Sequence, residues 1–212
     1  MFPIQSCISK ENINLLIQAT IAIGTIAVAI IAIWGDYFRK KLFPPKAKIA
    51  LHNVDGMLTY YQDSTPVWFY NLKVINQTHF SLKNCRVFLK EIRKKGPDDS
   101  YDKIPLSVPH QFIWSPGGFE PKEILINKEQ IFDFGSIRKG SDCWKPELYW
   151  RANNFNGDVK QGEVIRYILE VDAEGMTSEI KQIYEVAWNG KWSEKLEEMK
   201  LNLKIHEVTN NG

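Results

Sequence analysis

The sequence predicts a mainly β protein, in which one N-terminal transmembrane helix precedes an antiparallel β-sandwich of about eight or nine strands. Two observations carry this. An uncharged run of 24 residues, 12–35, separates Glu11 from Asp36. Beyond it, apolar and polar residues alternate at period two in run after run, with no stretch that could serve as a helical crossover between parallel strands. The 212 residues are 44% hydrophobic and 25% charged, which excludes a disordered chain. Lys and Arg number 27 against 25 Asp and Glu, so overall charge gives no reason to expect nucleic acid as a partner.

The apolar core of the helix runs from Ile13 to Trp34. At 1.5 Å per residue it spans roughly 33 Å, enough for a hydrocarbon layer of about 30 Å. It exceeds the apolar region of a signal peptide and ends in Ile33-Trp34 rather than a small-residue cleavage site, so the anchor is expected to remain attached. Lys10 precedes it, whereas Arg39, Lys40, Lys41, Lys46 and Lys48 follow. The positive-inside rule then puts the N-terminus outside and the C-terminal domain in the cytoplasm, at a cell (inner) membrane. Trp34, Tyr37 and Phe38 stand where an interfacial aromatic belt belongs. Along the helix Gln18, Ala22, Thr25, Ala29 and Ala32 recur at spacings of four and three, a small and polar stripe suited to self-association or to a partner helix.

The expected organisation is a short outer segment 1–11, the membrane helix 12–35, a basic juxtamembrane linker 36–46, the sandwich 47–208 and a tail 209–212. Ile49 and Leu51 open the strand series. Trp68, Tyr70, Leu72 and Val74 share one face of 67–76, and Cys85, Val87 and Leu89 one face of 84–92. Shorter runs follow at Ile124–Ile126 and 130–134, with a weaker one at 147–152. Clear alternation returns at Ile165–Val171, Ile180–Trp188 and Leu201–Ile205. Asn156-Gly157 and Asn189-Gly190 signal tight turns, Ala173–Gly175 signals a hairpin, and 193–200 is the only helical stretch in this part.

The segment NLKVINQTHFSLKNCRVFLKEI, residues 71–92, resembles the paired strands of Ig-like domains, in which a strand ends in Asn and a short loop leads into an alternating strand. The resemblance implies an Ig-like sandwich, although the Cys…Trp…Cys core of immunoglobulins is missing. In architecture the whole chain is similar to uncharacterised bacterial single-pass proteins with a cytoplasmic β-sandwich, a design shared by some membrane-anchored antiphage effectors.

No HExxH, GxSxG or GxxxxGK[ST] motif occurs, and Cys7, Cys85 and Cys143 form no CxxC pair. His52 and His206 take the polar positions of alternating runs, and Asp98, Asp99 and Asp102 lack the ligand spacing of a calcium loop. Asn76-Gln77-Thr78 matches a glycosylation acceptor, a motif without consequence in a cytoplasmic domain. No enzyme, cofactor or metal is expected.

Between Gly96 and Pro121 lie five of the ten prolines, together with Tyr101, His110, Phe112, Trp114 and Phe119. Such aromatic density on a proline-stiffened segment fits either a binding surface or an irregular edge that fills the core. The candidate partner contacts are therefore Phe112, Trp114 and Phe119, with Trp144, Tyr149 and Arg151 from a second aromatic segment. Arg39, Lys40, Lys41, Lys46 and Lys48 are expected at the membrane surface, where each charge near an anionic leaflet contributes about 1 kcal/mol. Lys90, Arg93, Lys94 and Lys95 are read as a soluble hairpin end. Removing the five juxtamembrane charges leaves 22 basic residues against 25 acids, so the expected partners are the lipid bilayer and a protein or a second copy, with a small-molecule ligand also open and nucleic acid excluded.

The function read from these features is a membrane-anchored binding module. The competing classes are an oligomerising effector of the antiphage type and a scaffold that tethers a complex. Gln18 is the strongly polar side chain nearest the middle of the span. Replacing it with Leu is expected to weaken oligomers on native gels, and unchanged oligomers would remove the case for the stripe.

Overall fold

The computed structural model describes residues 10–176 and 181–208; the first nine residues, Ile180 and the tail 209–212 of the expected organisation lie outside the described residues. The chain divides into two compact units between Pro44 and Pro45.

The first unit holds helix α1, Lys10–Leu42, of 33 residues. Within it Asn12–Gly35 is long and apolar enough to cross a membrane, with a mean hydropathy of 2.4. The helix passes the expected end of the span without a break. Residues 36–42 of the predicted linker are thus helical, because no helix-breaking residue occurs before Pro44 and the position before a proline disfavours the α conformation. Arg39, Lys40 and Lys41 consequently fall on the helix, while Lys46 and Lys48 belong to the second unit; the side chains of Arg39 and Lys40 lie outside the described residues. Trp34, Tyr37 and Phe38 pack ring on ring with centroids 5.9–6.5 Å apart.

The second unit is a sandwich of two antiparallel sheets. The first sheet contains β1 (Ala47–Leu51), β2 (Met57–Tyr60), β3 (Pro66–Asn76), β7 (Ile113–Trp114), β9 (Glu129–Arg138), β10 (Cys143–Pro146) and β11 (Val159–Lys160), in the order β1-β3-β9-β10-β11 with β2 on β3 and β7 on β9. The second contains β4 (Leu82–Lys95), β5 (Tyr101–Ile104), β6 (His110–Gln111), β8 (Lys122–Ile124), β12 (Val164–Asp172), β13 (Lys181–Trp188) and β14 (Leu203–Val208), in the order β14-β13-β12-β4-β5 with β6 and β8 also on β4. The described residues therefore form 14 strands rather than eight or nine. The additional ones are two to four residues long, too short to show a period.

The long strands follow their alternation. Trp68, Tyr70, Leu72 and Val74 are buried, as are Cys85, Val87 and Leu89 and the inward residues of β12 and β13. β3 and β4 lie in opposite sheets and do not pair with each other; the crossing between them is fixed by Asn76. Its buried Nδ2 donates to the carbonyls of Phe80 and Ile124 at 2.8 and 2.9 Å, and its Oδ1 accepts from Thr78 N and Oγ1 at 2.8 and 2.6 Å. The Asn-x-Thr motif is thus an Asx-turn that satisfies the backbone where the chain changes sheets.

Besides an irregularity between Leu82 and Cys85 at the start of β4, two bulges interrupt the alternation. On β4, Lys90 is extra between Leu89 and Glu91, which lets Leu89 and Ile92 both point inward. On β9, Phe134 is extra: Asn71 faces Asp133 while Tyr70 faces Gly135. Past that bulge Gly135 and Ile137 hold inward positions, and Ser136 and Arg138 turn to the outer face.

Two turn signals act differently from expectation. Asn156-Gly157 is no hairpin turn, since the turn falls at 153–154 and Gly157 lies under Phe155 and Ile92 with its carbonyl accepting from Tyr167 Oη at 2.6 Å. Asn189-Gly190 leads into a loop and helix α2, Leu196–Asn202, three residues later than the predicted start. The 147–152 run is also not a strand. The preceding residues, β10, take that place because Trp144 is the side chain that the core accommodates.

Gly135 is the tightest point of the core. A Cβ added there would stand 2.0 Å from the Trp144 ring. Gly135→Ala must displace the indole and is expected to destabilise the domain by about 3 kcal/mol. At Gly118 an added Cβ meets nothing within 4 Å, so Gly118→Ala should leave thermal unfolding of the full chain in detergent unchanged.

Candidate functional site

The proline-rich segment closes one side of the sandwich. β6 pairs with β4 in one sheet, and two residues later β7 pairs with β9 in the other. Between them Phe112 crosses the interior. Its N–H donates to Val87 O at 3.0 Å, and the next residue donates to Glu147 O at 3.3 Å, so the crossing leaves neither amide unpaired. Phe112 and Trp114 are each 1% exposed and Trp144 is fully buried. These three predicted partner contacts are core residues and offer no surface: rings of this size gain most by burial, and the crossing carries them inside.

The remaining predicted aromatics do meet at the surface. Phe119 and Tyr149 are 42% and 48% exposed and stack with centroids 4.1 Å apart. Gln111 positions both, accepting from Tyr149 N at 2.8 Å through its backbone carbonyl while its side-chain amide donates to the Phe119 carbonyl. Beside them Trp150, also exposed, packs edge-on against His110 at 4.8 Å, and His110 in turn meets Phe155 at 5.4 Å. Arg151 is held in place: Nη1 donates to Asp158 Oδ1 at 2.8 Å, Nη2 donates to Pro146 O, and the guanidinium lies over Phe155. It pins the β10–β11 connection, leaving the two stacked rings as the exposed members of the predicted set.

A second feature was not legible in the sequence. On the outer face of β9 and β10 a cleft of about 420 Å³ is lined by Tyr61, Ser136, Arg138, Lys145, Glu147 and Arg151, among others. The Phe134 bulge turns Ser136 and Arg138 outward, and burial of Trp144 turns Cys143 and Lys145 outward beside them. The Arg138 guanidinium lies 4.0 Å from the centre of the Tyr61 ring. Burial raises the Cys143 thiol pKa, with Asp142 and Asp158 adding to it, so this sulfur stays protonated at neutral pH.

The basic group 90–95, read as a soluble hairpin end, is neutralised by carboxylates on β4 itself, on β12 and its preceding turn, and in the β4–β5 turn. Lys90, Arg93, Lys94 and Lys95 bind Glu170, Glu91, Glu163 and Asp99 at 2.5–3.0 Å. Asp98 accepts from Ser100, which accounts for the acidic loop. His52 and His79 are exposed, and His206 sits 3.4 Å from Glu185 on the outer face of β14. Among the described residues no group of three or more His, Cys, Asp or Glu could hold a metal ion.

On the apolar helix α1, Thr25 Oγ1 donates to the Ile21 carbonyl one turn back at 2.8 Å. Its hydroxyl is therefore satisfied inside the helix. Among the described residues Gln18 forms no such bond, which leaves it the polar member of the stripe with donors and acceptors to spare. Ala22, Ala29 and Ala32 are exposed along the same helix.

No protein-family model matches the chain, and no curated protein matches it.

His110 offers a direct check on the aromatic cluster. It is 1% exposed, and burial lowers its pKa, with the Arg151 charge acting in the same direction and a hydrogen bond to Trp150 opposing. The folded protein thus resists a proton that the unfolded chain accepts near the ordinary histidine value of about 6.5. The stability this neutral imidazole confers is present above that value and lost as the pH falls below it. His110→Gln, which keeps a donor for Trp150, is expected to flatten the fall in melting temperature between about pH 7.5 and 5.5. Parallel curves for the two proteins would show that His110 titrates normally.

Proposed function

We propose that the protein is a membrane-anchored recognition module with no catalytic activity of its own, whose β-sandwich lies on the cytoplasmic side of a cell membrane. The observation that carries the reading is the Phe119–Tyr149 stack. Two large rings stand half in solvent yet are fixed through one residue, Gln111, so a partner binding there would meet contact area that is already ordered. A protein partner suits two flat, amphipathic faces of this kind better than a small polar molecule does. The single apolar helix supports the anchoring, and the basic residues that follow it support the cytoplasmic orientation.

The test uses the tagged full chain, purified from gently solubilised native membranes. Replacing Phe119 and Tyr149 together by Ser should remove a partner that co-purifies with the wild type, while the melting temperature stays unchanged because both rings lie outside the core. Undiminished recovery with the double variant would overturn the site. A C-terminal reporter active only outside the cytoplasm would overturn the orientation.

A further inference from the structure

We propose that the cleft between β9 and β10 is a binding site for a phosphate group, independent of the aromatic stack. Its lining contains four cations, Arg138, Lys139, Lys145 and Arg151, against one carboxylate, Glu147. Two of the four have partners of their own: Lys139 binds Glu194 at 2.8 Å and Arg151 binds Asp158 at 2.8 Å. Arg138 and Lys145 form no ion pair among the described residues. The Asp63 carboxylate feels the Arg138 charge but is engaged by the Thr65 N–H at 3.0 Å. Arg138 is instead held against the Tyr61 ring, which fixes the guanidinium plane while leaving its N–H donors to a ligand.

The strand register makes this arrangement a built one. Lys145 is paired directly with Ser136, and Arg138 follows two residues later on the same outer face of β9. A planar fork and a compact ammonium thus flank one hollow, the pair of donors best matched to a tetrahedral oxyanion. The hollow, at about 420 Å³, accommodates a phosphate together with an organic portion. A phosphate monoester carries roughly −1.5 to −2 at neutral pH, which answers two uncommitted cations where a carboxylate would answer one. Glu147, the one carboxylate in the lining, accepts from Ser136 Oγ through Oε1 and limits rather than aids binding. The same chemistry is offered by a phosphorylated metabolite and by a phosphomonoester lipid headgroup.

The experiment titrates the full chain, held in phosphatidylcholine nanodiscs at low salt, with pyrophosphate by calorimetry. The wild type should bind saturably. Lys145→Glu, an exposed position, should weaken binding roughly tenfold or more, and Glu147→Gln should tighten it by removing the one opposing charge. Lys128→Glu, on an exposed turn between β8 and β9, should titrate as the wild type. Discs containing phosphatidic acid separate the two sources of phosphate. Loss of pyrophosphate binding in those discs, and not in discs of equal negative charge made with phosphatidylglycerol, assigns the site to a phosphomonoester headgroup; equal binding in the two kinds of anionic disc assigns it to a soluble phosphate. The proposal is overturned if pyrophosphate does not saturate in phosphatidylcholine discs, or if Lys145→Glu and Glu147→Gln both titrate as the wild type. Neither result bears on the Phe119–Tyr149 surface, which is probed by other residues.

Discussion

One extra residue in β9, Phe134, sets the interior and one exterior face of the sandwich together. Its ring meets Phe112, Trp144, Tyr167 and Tyr184 at centroid distances of 5.2–5.9 Å, and so joins both sheets and the crossing strand segment in one aromatic layer. The bulge that accommodates it also shifts side-chain parity. Without it, Ser136 and Arg138 would follow Phe132 and Phe134 into the core, where an unpaired guanidinium could not be tolerated. With it, Gly135 takes the inward place beneath the Trp144 indole. Core packing and the outward cationic cleft are two consequences of the same insertion.

Long strands could be read because one buried face imposes a strict alternation. β3, β12 and β13 emerged from the sequence nearly residue for residue, and the N-terminal apolar helix emerged from its length and lack of charge. What could not be read is the edge of each sheet. β6 and β7 are two residues each, in opposite sheets, and only long-range pairing with β4 and β9 defines them as strands. Bulges are hidden for a related reason. Past Phe134 the pattern of apolar residues changes phase, and a change of phase in a short run is indistinguishable from the end of a strand. The 130–134 run therefore stopped where the strand in fact continued to Arg138.

The aromatic residues illustrate the same limit in functional terms. Trp114, Trp144, Phe119 and Tyr149 are alike in type and neighbourhood along the chain. Two fill the interior and two stack outside. The separation follows from the crossing at Phe112, whose position carries Trp114 into the first sheet while the turn after it releases Phe119 to the surface. Residue type marks where burial or recognition will occur, and topology decides between them.

Charge behaves in the same way. The basic run 90–95 is conspicuous in the sequence, yet Lys90, Arg93, Lys94 and Lys95 each face a carboxylate, on a neighbouring strand, in the following turn or, for Arg93, on the same strand. Exposed pairs of that kind contribute little to stability and leave no charge for a ligand. Arg138 and Lys145 are seven residues apart and unremarkable in sequence. They become a pair because β9 and β10 are antiparallel neighbours, and neither forms an ion pair among the described residues, the Glu147 carboxylate accepting from Ser136 Oγ instead. A dense run of cations along the chain is therefore paired with carboxylates, while two dispersed ones without an ion pair among the described residues face a common hollow. Unbalanced charge is a property of the assembled face, and it is on that face that an anionic ligand gains most.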